Sequence, residues 1–439
     1  MPTAHENLPV KALRGKLAAN GADPETLGVF DAVVSRRAFG KAGALAALAG
    51  LGAGIGAALG GLFGRGLVPV AWAQEAAKPE EIPGKPGITV LTPQPVNAEV
   101  PPHLLDDDVT PVEHHFVRNH GSVPSRAAKQ DPQGWTLTVD GEVKDPLKLT
   151  LDDLKQMPAV TMPVVIECAG DGRGLIDPPV RGVPWRFGAV GCAEWTGARL
   201  RDILQKAGLK DTAKYTAHYS EDPQLGQAPP FSRGVPLSKA MDENTILGYR
   251  MNGKDLPALH GYPLRLVVPG WIASCSQKWL NRIWIRDRVH DSDKMTGYAY
   301  RVPATPPKPG VMPPESDMEI ATFLKVKSIV TRPAPDAALR VGEKVRLSGH
   351  AWAGEDRVAG VRVSTDYGIR WSEARLTPPP ARYAWCRWEA ETTFAGKGYY
   401  EVWAQAVNDR GDAQPFRSIW SPQGYLNNLI HRVPVQVEG

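Results

Sequence analysis

The chain has 439 residues, 42% of them hydrophobic and 22% charged, with a net charge of +4. Such a composition excludes a disordered or fibrous chain and is too long for one ordinary core, so two domains are expected. Four cysteines, none in a CxxC pair or a Cys/His cluster, exclude zinc, iron–sulfur and c-type haem sites built on those patterns, and exclude a disulfide scaffold.

Residues 1–73 hold 7 Lys/Arg and 4 Asp/Glu, which leaves 44 basic and 43 acidic residues beyond them. That near-neutral remainder gives no reason to expect a nucleic-acid partner. Within the first segment, Arg36 and Arg37 precede 23 uncharged residues, Ala42 to Gly64, and small residues flank Trp72. Ser35-Arg36-Arg37-Ala38-Phe39 looks like a twin-arginine export signal, cleaved near Ala73, which places the protein in the periplasm. An uncleaved membrane anchor is the alternative reading of the same stretch. Twin-arginine export carries folded proteins, often with a cofactor already inserted, so a cofactor is expected.

Residues 74–110 are Pro-rich and polar and read as an extended N-terminal arm. "WTLTVDGEV" (135–143) alternates as a strand does and ends on an Asp-Gly turn. "LTLDDLKQMP" (149–158) reads as a helix capped by Thr150. "MPVVIEC" (162–168) is a short buried strand. "TGARLRDILQKAGL" (196–209) has Leu200, Ile203, Leu204 and Leu209 at helical spacing. "YPLRLVVPG" (262–270) and "WLNRIWIRD" (279–287) are further strands. This mixture predicts an α+β domain over 111–303, followed by a Pro-rich linker at 304–317. From 318 to 439, short strands recur at regular spacing with turns between them. That pattern predicts an all-β sandwich of immunoglobulin-like size.

Cys168 ends an apolar run and is followed by small residues. The residues around it leave four readings open: a buried thiol, half of a disulfide, a nucleophile or a metal ligand. Basic side chains gather in a few loop motifs. "HFVRNHG" (115–121) carries Arg118 and Asn119 between two histidines. Arg173 lies five residues after Cys168, "HGYPLRLVVPG" (260–270) brings His260 and Arg265, and "SQKW" (276–279) brings Lys278. Taken singly, each is an ordinary surface charge. Taken together, they suit a phosphorylated, anionic ligand, since guanidinium groups bind phosphate bidentately.

"FVRNHG", "ECAGDGR", "GVPWRFGAVGCAEWTGARLRDIL", "HGYPLRLVVPG", "QKWLNRI" and "IWSPQGYLNNLIHRV" occur in that order. Over roughly residues 100–435 the chain resembles the sulfite oxidase family of molybdopterin enzymes. The resemblance implies one molybdenum–molybdopterin in the first domain and an immunoglobulin-like second domain that forms a homodimer. It implies that Cys168 is the thiolate ligand to molybdenum. Phe116, Val117, Arg118, Asn119, His120, Asp222, His260, Arg265, Ser276, Gln277 and Lys278 would contact the pterin and its phosphate. Arg118 and Arg173 would face the oxyanion substrate, and Trp185 would line its pocket. The implied reaction is oxidation of sulfite to sulfate. No cytochrome-b5-like segment precedes the first domain, so electrons would pass to a separate c-type cytochrome.

Three positions depart from the family pattern. Asp171 stands where the family has Asn, and a carboxylate there should weaken sulfite binding unless it is paired. Gln423 replaces a pocket arginine. The active-site tyrosine has no direct equivalent: counting places Met295 opposite it, with Tyr298 and Tyr300 close by. Other readings are the molybdenum subunit of a sulfur-oxidation complex acting on protein-bound sulfane sulfur, a sulfoxide reductase, and a non-catalytic binding or assembly protein.

Overall fold

The computed structural model describes residues 81–223, 231–335 and 337–439. The expected export signal and the first part of the arm lie outside the described residues. The rest of the arm is not simply extended. It forms an antiparallel hairpin, β1 (Thr89–Pro93) and β2 (Val96–Glu99), and β2 pairs with β3 (Val117–Arg118). The arm thereby fixes the segment that carries Arg118.

The first domain is mostly strand. Two five-stranded sheets carry it. One orders β4 (Leu137–Gly141), β5 (Leu147–Leu149), β8 (Tyr215–Ser220), β9 (Ser232–Pro236) and β13 (Leu280–Arg286) as β5-β4-β13-β8-β9. The other runs through β6 (Ala159–Glu167), β7 (Val190–Arg199), β10 (Ile246–Met251) and the two-residue β11 (Lys254–Asp255), with β12 (Arg265–Val267) also on β10. Helices are short: α1 (Ser125–Lys129), α2 (Leu151–Lys155), α3 (Leu200–Ala207) and α4 (Leu237–Ala240). Among the described residues no helix is long and apolar enough to cross a membrane.

The strand-rich outcome has a local cause. The expected helix at 196–209 begins only at Leu200, because Thr196–Arg199 pair with β6 on one side and β10 on the other. Gly208, at a φ of 64°, ends the helix before Leu209. The face that remains buries Leu200, Ile203, Leu204 and Ala207, an i, i+3, i+4, i+7 stripe. At α2 the expected cap is present. Thr150 Oγ1 accepts from the Asp153 amide at 3.1 Å, and Asp153 Oδ2 accepts from the Thr150 amide at 2.8 Å.

The expected linker is bracketed by paired strands, β14 (Arg301–Pro303) and β15 (Met318–Ile320). Beyond it, two sheets enclose a second core. One orders β16 (Lys327–Arg332), β18 (Lys344–Trp352), β21 (Arg375–Thr377) and β22 (Cys386–Thr393) as β16-β18-β22-β21. The other orders β17 (Ala338–Arg340), β19 (Val358–Ser364), β20 (Ser372–Glu373), β23 (Gly398–Asn408) and β24 (His431–Glu438) as β17-β24-β23-β19-β20. Leu347 and Trp388 from the first sheet meet Val361, Val402 and Val433 from the second. The two parts of the chain are not independent bodies. Ala321, Leu324, Ile329, Trp352 and Trp385 belong to the core of the first domain, and the described residues hold together as one compact unit.

Candidate active site

β6 ends at Glu167 and delivers Cys168 into a tight turn. The Cys168 amide donates to the Ala189 carbonyl at 2.9 Å, and the Asp171 amide donates back to the Cys168 carbonyl at 2.9 Å. Gly172 adopts a φ of 88°, which favours glycine. Gly174 has no room for a Cβ, because the Pro184 carbonyl oxygen lies 2.6 Å from where that atom would sit. The "AGDGRG" run is thus a packing requirement of the turn. Cys168 lies on the wall shared by two cavities.

The first cavity is partly open, and the atom-free space within it and at its mouth is about 680 Å³. β3 and the residues on either side of it contribute Phe116, Arg118, Asn119 and His120. His260 comes from a short turn, Arg265 from β12, and Ser276, Gln277 and Lys278 from the run before β13; Asp222 and Tyr300 complete the wall. Val117, expected against the pterin, and Trp185, expected to line the substrate pocket, are elsewhere. Val117 is fully buried in β3 and does not line the cavity, since alternate strand residues face opposite sides. Trp185 is fully buried behind Phe116, edge-on to it at 6.4 Å, and reaches neither cavity.

The cavity is electropositive. Burial pushes the Arg265 guanidinium down to about 9. Desolvation, with Arg265 next to it, holds the Lys278 ammonium well below its usual value. Burial and the nearby Lys85 and Arg265 push His115 down to about 3, and His260 is likewise held well below its ordinary value. The cations are anchored by neutral oxygens. Arg265 donates to the His260 and Ser276 carbonyls at 3.2 and 3.0 Å, and Lys278 donates to the Leu259 carbonyl at 2.8 Å and to Asn119 Oδ1. Among the described residues, four buried polar atoms of the lining have no hydrogen-bond partner: His115 Nε2, His260 Nε2, Ser274 Oγ and Gln277 Oε1. Orphaned donors and acceptors beside cations whose acidic neighbour in the wall is Asp222 fit a polar, anionic ligand with many hydrogen-bonding atoms.

The second cavity is also partly open, with about 780 Å³ of atom-free space including its mouth; it is lined by Arg118, His120, Cys168, Arg173, Lys294, Tyr300, Gln423 and Tyr425, and none of the described residues in its wall is acidic. Arg173 Nε donates to the Gln423 carbonyl at 2.6 Å, and its guanidinium stands 5.1 Å from the centre of the Tyr425 ring. Tyr425 stacks on Tyr300 at 5.0 Å. The Tyr300 hydroxyl and the Arg118 guanidinium both reach His120 Nε2 at 2.7 Å. For both to donate, His120 must be neutral with its proton on Nδ1. Burial and the adjoining Arg118 favour the neutral ring. Tyr300 is held at a φ of 51°, a strained conformation for an aromatic residue. Of the two candidate tyrosines, Tyr298 is not at the site: its hydroxyl donates to the Pro313 carbonyl at 2.7 Å. Met295 is buried and also outside the wall.

Asp171 lines neither cavity. Its Oδ2 accepts from the Lys327 ammonium at 2.6 Å, and its Oδ1 accepts from the Ala189 amide at 2.9 Å. The condition under which it would leave an anion site undisturbed is therefore met. Sequence reasoning missed Lys327, Lys294 and Tyr425, because each joins the site from a distant segment. Burial pushes the Cys168 thiol up, while Arg118 and Arg173 favour its thiolate. The other three cysteines are free and buried. Among the described residues, no group of three or more His, Cys, Asp or Glu side chains could hold a metal ion. A metal at Cys168 therefore has to bring most of its own ligands.

Residues 120–294 match the oxidoreductase molybdopterin binding domain, and residues 318–438 match the Mo-co oxidoreductase dimerisation domain. Mitochondrial sulfite oxidase of Rattus norvegicus is 34% identical over 372 residues, covering 80% of this chain and 66% of that protein. Sulfite oxidase of Gallus gallus is 34% identical over 375 residues, covering 80% of this chain and 78% of that protein. The crystal structure of the sulfane dehydrogenase SoxCD from Paracoccus pantotrophus superposes with a TM-score of 0.67 at 28% identity, covering 83% of this chain and 94% of that one.

Proposed function

The chain belongs to the sulfite oxidase family of molybdopterin-dependent oxidoreductases, and we propose that it oxidises sulfite to sulfate and passes the electrons to a separate c-type cytochrome. The carrying observation is the acid-free cavity beside Cys168, in which Arg118, Arg173 and Lys294 face one space. The first cavity fits the molybdenum–molybdopterin cofactor: its cations and orphaned polar atoms suit a phosphorylated pterin. Arg265, Lys278, His260, Asn119, Ser276 and Gln277 would hold that group, and Cys168 would give its thiolate to the metal, a soft ligand for a site already rich in sulfur. When bound, the cofactor supplies two-electron redox chemistry and oxygen transfer.

The remaining work falls to the protein. Arg118 and Arg173 attract and orient the oxyanion and balance its charge as that charge shifts during reaction. His120, fixed in one tautomer, holds Arg118 and Tyr300 in place relative to each other. The Tyr300–Tyr425 stack closes one side of the pocket to water. Gln423 contributes its carbonyl to Arg173, which keeps that guanidinium pointed at the cavity although the family's additional arginine is missing.

A second reading is oxidation of protein-bound sulfane sulfur, favoured by the likeness to SoxCD and by the neutral Gln423. We also infer export by the twin-arginine route to the periplasm, and a homodimer formed through residues 318–439, read as an immunoglobulin-like sandwich. The test is molybdenum content by mass spectrometry on exported protein, with sulfite-dependent cytochrome c reduction on the same samples and a Cys168→Ser control. About one metal per chain, with activity lost in the control, supports the proposal. Metal without sulfite turnover moves the assignment to sulfane sulfur, and protein without metal sinks both.

A further inference from the structure

The turn that carries Cys168 is held from outside its own domain. The Lys327 ammonium, from β16 of the C-terminal sandwich, donates to Glu167 Oε1 at 2.8 Å and to Asp171 Oδ2 at 2.6 Å. These two carboxylates sit on either side of Cys168. Each remaining carboxylate oxygen also has a donor: Trp352 Nε1 on Glu167 Oε2 at 2.7 Å, and the Ala189 amide on Asp171 Oδ1 at 2.9 Å. Lys327 is 1% exposed, Asp171 1% and Glu167 5%. The C-terminal region reaches the turn three more times. The Leu426 amide donates to the Ala169 carbonyl at 2.8 Å, Asn427 Nδ2 to the Gly172 carbonyl at 2.7 Å, and the Gln423 carbonyl accepts from Arg173 at 2.6 Å. Five of the seven residues from Glu167 to Arg173 are therefore bonded to the second half of the chain; the exceptions are Cys168 and Gly170.

We propose that Lys327 is a positioning residue: through Asp171 and Glu167 it fixes the direction of the Cys168 sulfur, so that docking of the C-terminal sandwich sets the geometry of the metal's protein ligand. The proposal rests on the family reading of Cys168. Three bonds close on one another around the cysteine: Cys168 amide to Ala189 carbonyl, Ala189 amide to Asp171 carboxylate, and Asp171 amide to Cys168 carbonyl. Lys327 holds the free end of that ring. A buried ion group of this kind is weak evidence for stability, because well-packed apolar residues serve stability as well. What it does supply is a fixed arrangement, since each oxygen has a single donor at a defined place. Asp171 then has a role that Asn would fill poorly. The amide would still accept from Ala189 but would not neutralise Lys327.

The test uses full-length, cofactor-loaded enzyme carrying Lys327→Met or Asp171→Asn, beside Val361→Ala, which opens the sandwich core without touching the turn. Thermal midpoints are measured with the electron paramagnetic resonance signature of the one-electron-reduced metal centre. Expected are an altered signature and an about ten-fold lower kcat in both turn variants, as when outer partners of a metal ligand are removed. Val361→Ala should lower the midpoint and leave the signature alone. A Lys327→Met enzyme that loses midpoint but keeps the wild-type signature overturns the proposal. Should Lys327→Met fail to fold, the near-isosteric Asp171→Asn decides in the same way. Wild-type enzyme without molybdenum would instead overturn the reading of Cys168, and the positioning role with it.

Discussion

The cofactor cleft and the seam between the two halves of the chain both bury charge, and they do so in opposite ways. In the seam the charges close on one another. Lys327 has Glu167 and Asp171, and Asp106 accepts from Thr331, Arg332 and Arg387. In the cleft, Arg265 and Lys278 lean on carbonyls. Desolvating a charge is expensive unless it is compensated. The seam is compensated by the chain itself, whereas the cleft is built to be completed by an anion. How each region's charges are compensated is what separates structure from binding site.

The sharpest test of that contrast is removal of one charge from each region. Lys327→Met leaves two carboxylates buried together and should cost about 3–5 kcal/mol, read as a lower urea midpoint. Lys278→Met should do the reverse in cofactor-free protein, holding or raising the midpoint, while cofactor occupancy by metal analysis falls about ten-fold. A loss of stability there would break the comparison. Next come the substrate cations. Arg118→Gln or Arg173→Gln removes a charged donor worth about 1.5–3 kcal/mol, so kcat/KM for sulfite should fall roughly 10- to 100-fold in steady-state assays.

Histidine in the seam gives a pH test. His350 is fully buried and stacks on Trp385 at 4.2 Å. Burial and Arg387 push it down to about 4, against the opposing pull of Asp108 and Asp106. The folded protein keeps it neutral, while the unfolded chain protonates it near pH 6.5. Its contribution is therefore complete above pH 6.5 and is lost as pH falls toward 4, by at most about 1.4 kcal/mol per pH unit. His350→Gln should flatten the fall in unfolding free energy over that window. The smallest effect is expected for Tyr300→Phe, which removes one hydrogen bond to His120. It should cost about 1 kcal/mol, roughly five-fold in kcat/KM, if the ring stack on Tyr425 persists.

What the sequence by itself determined about this protein is what is local. The apolar run that ends at Cys168, the Thr150 cap, the small residues of the turn and the basic loop motifs are all short, contiguous patterns. They marked β4, β6, β12 and β13, the strand-rich pattern of residues 318–439 and most of the cleft, because side-chain alternation and turn chemistry act over a few residues. Tertiary structure decided the rest. It placed Tyr300 rather than Tyr298 at the pocket, turned Val117 and Trp185 away from the cavities, and carried β7 through the first four residues of the expected helix. It also paired Asp171 with a lysine 156 positions away. None of these outcomes leaves a local trace. A charge's partner, a ring's stacking surface and a strand's two neighbours are fixed by which distant segments meet when the chain closes its core.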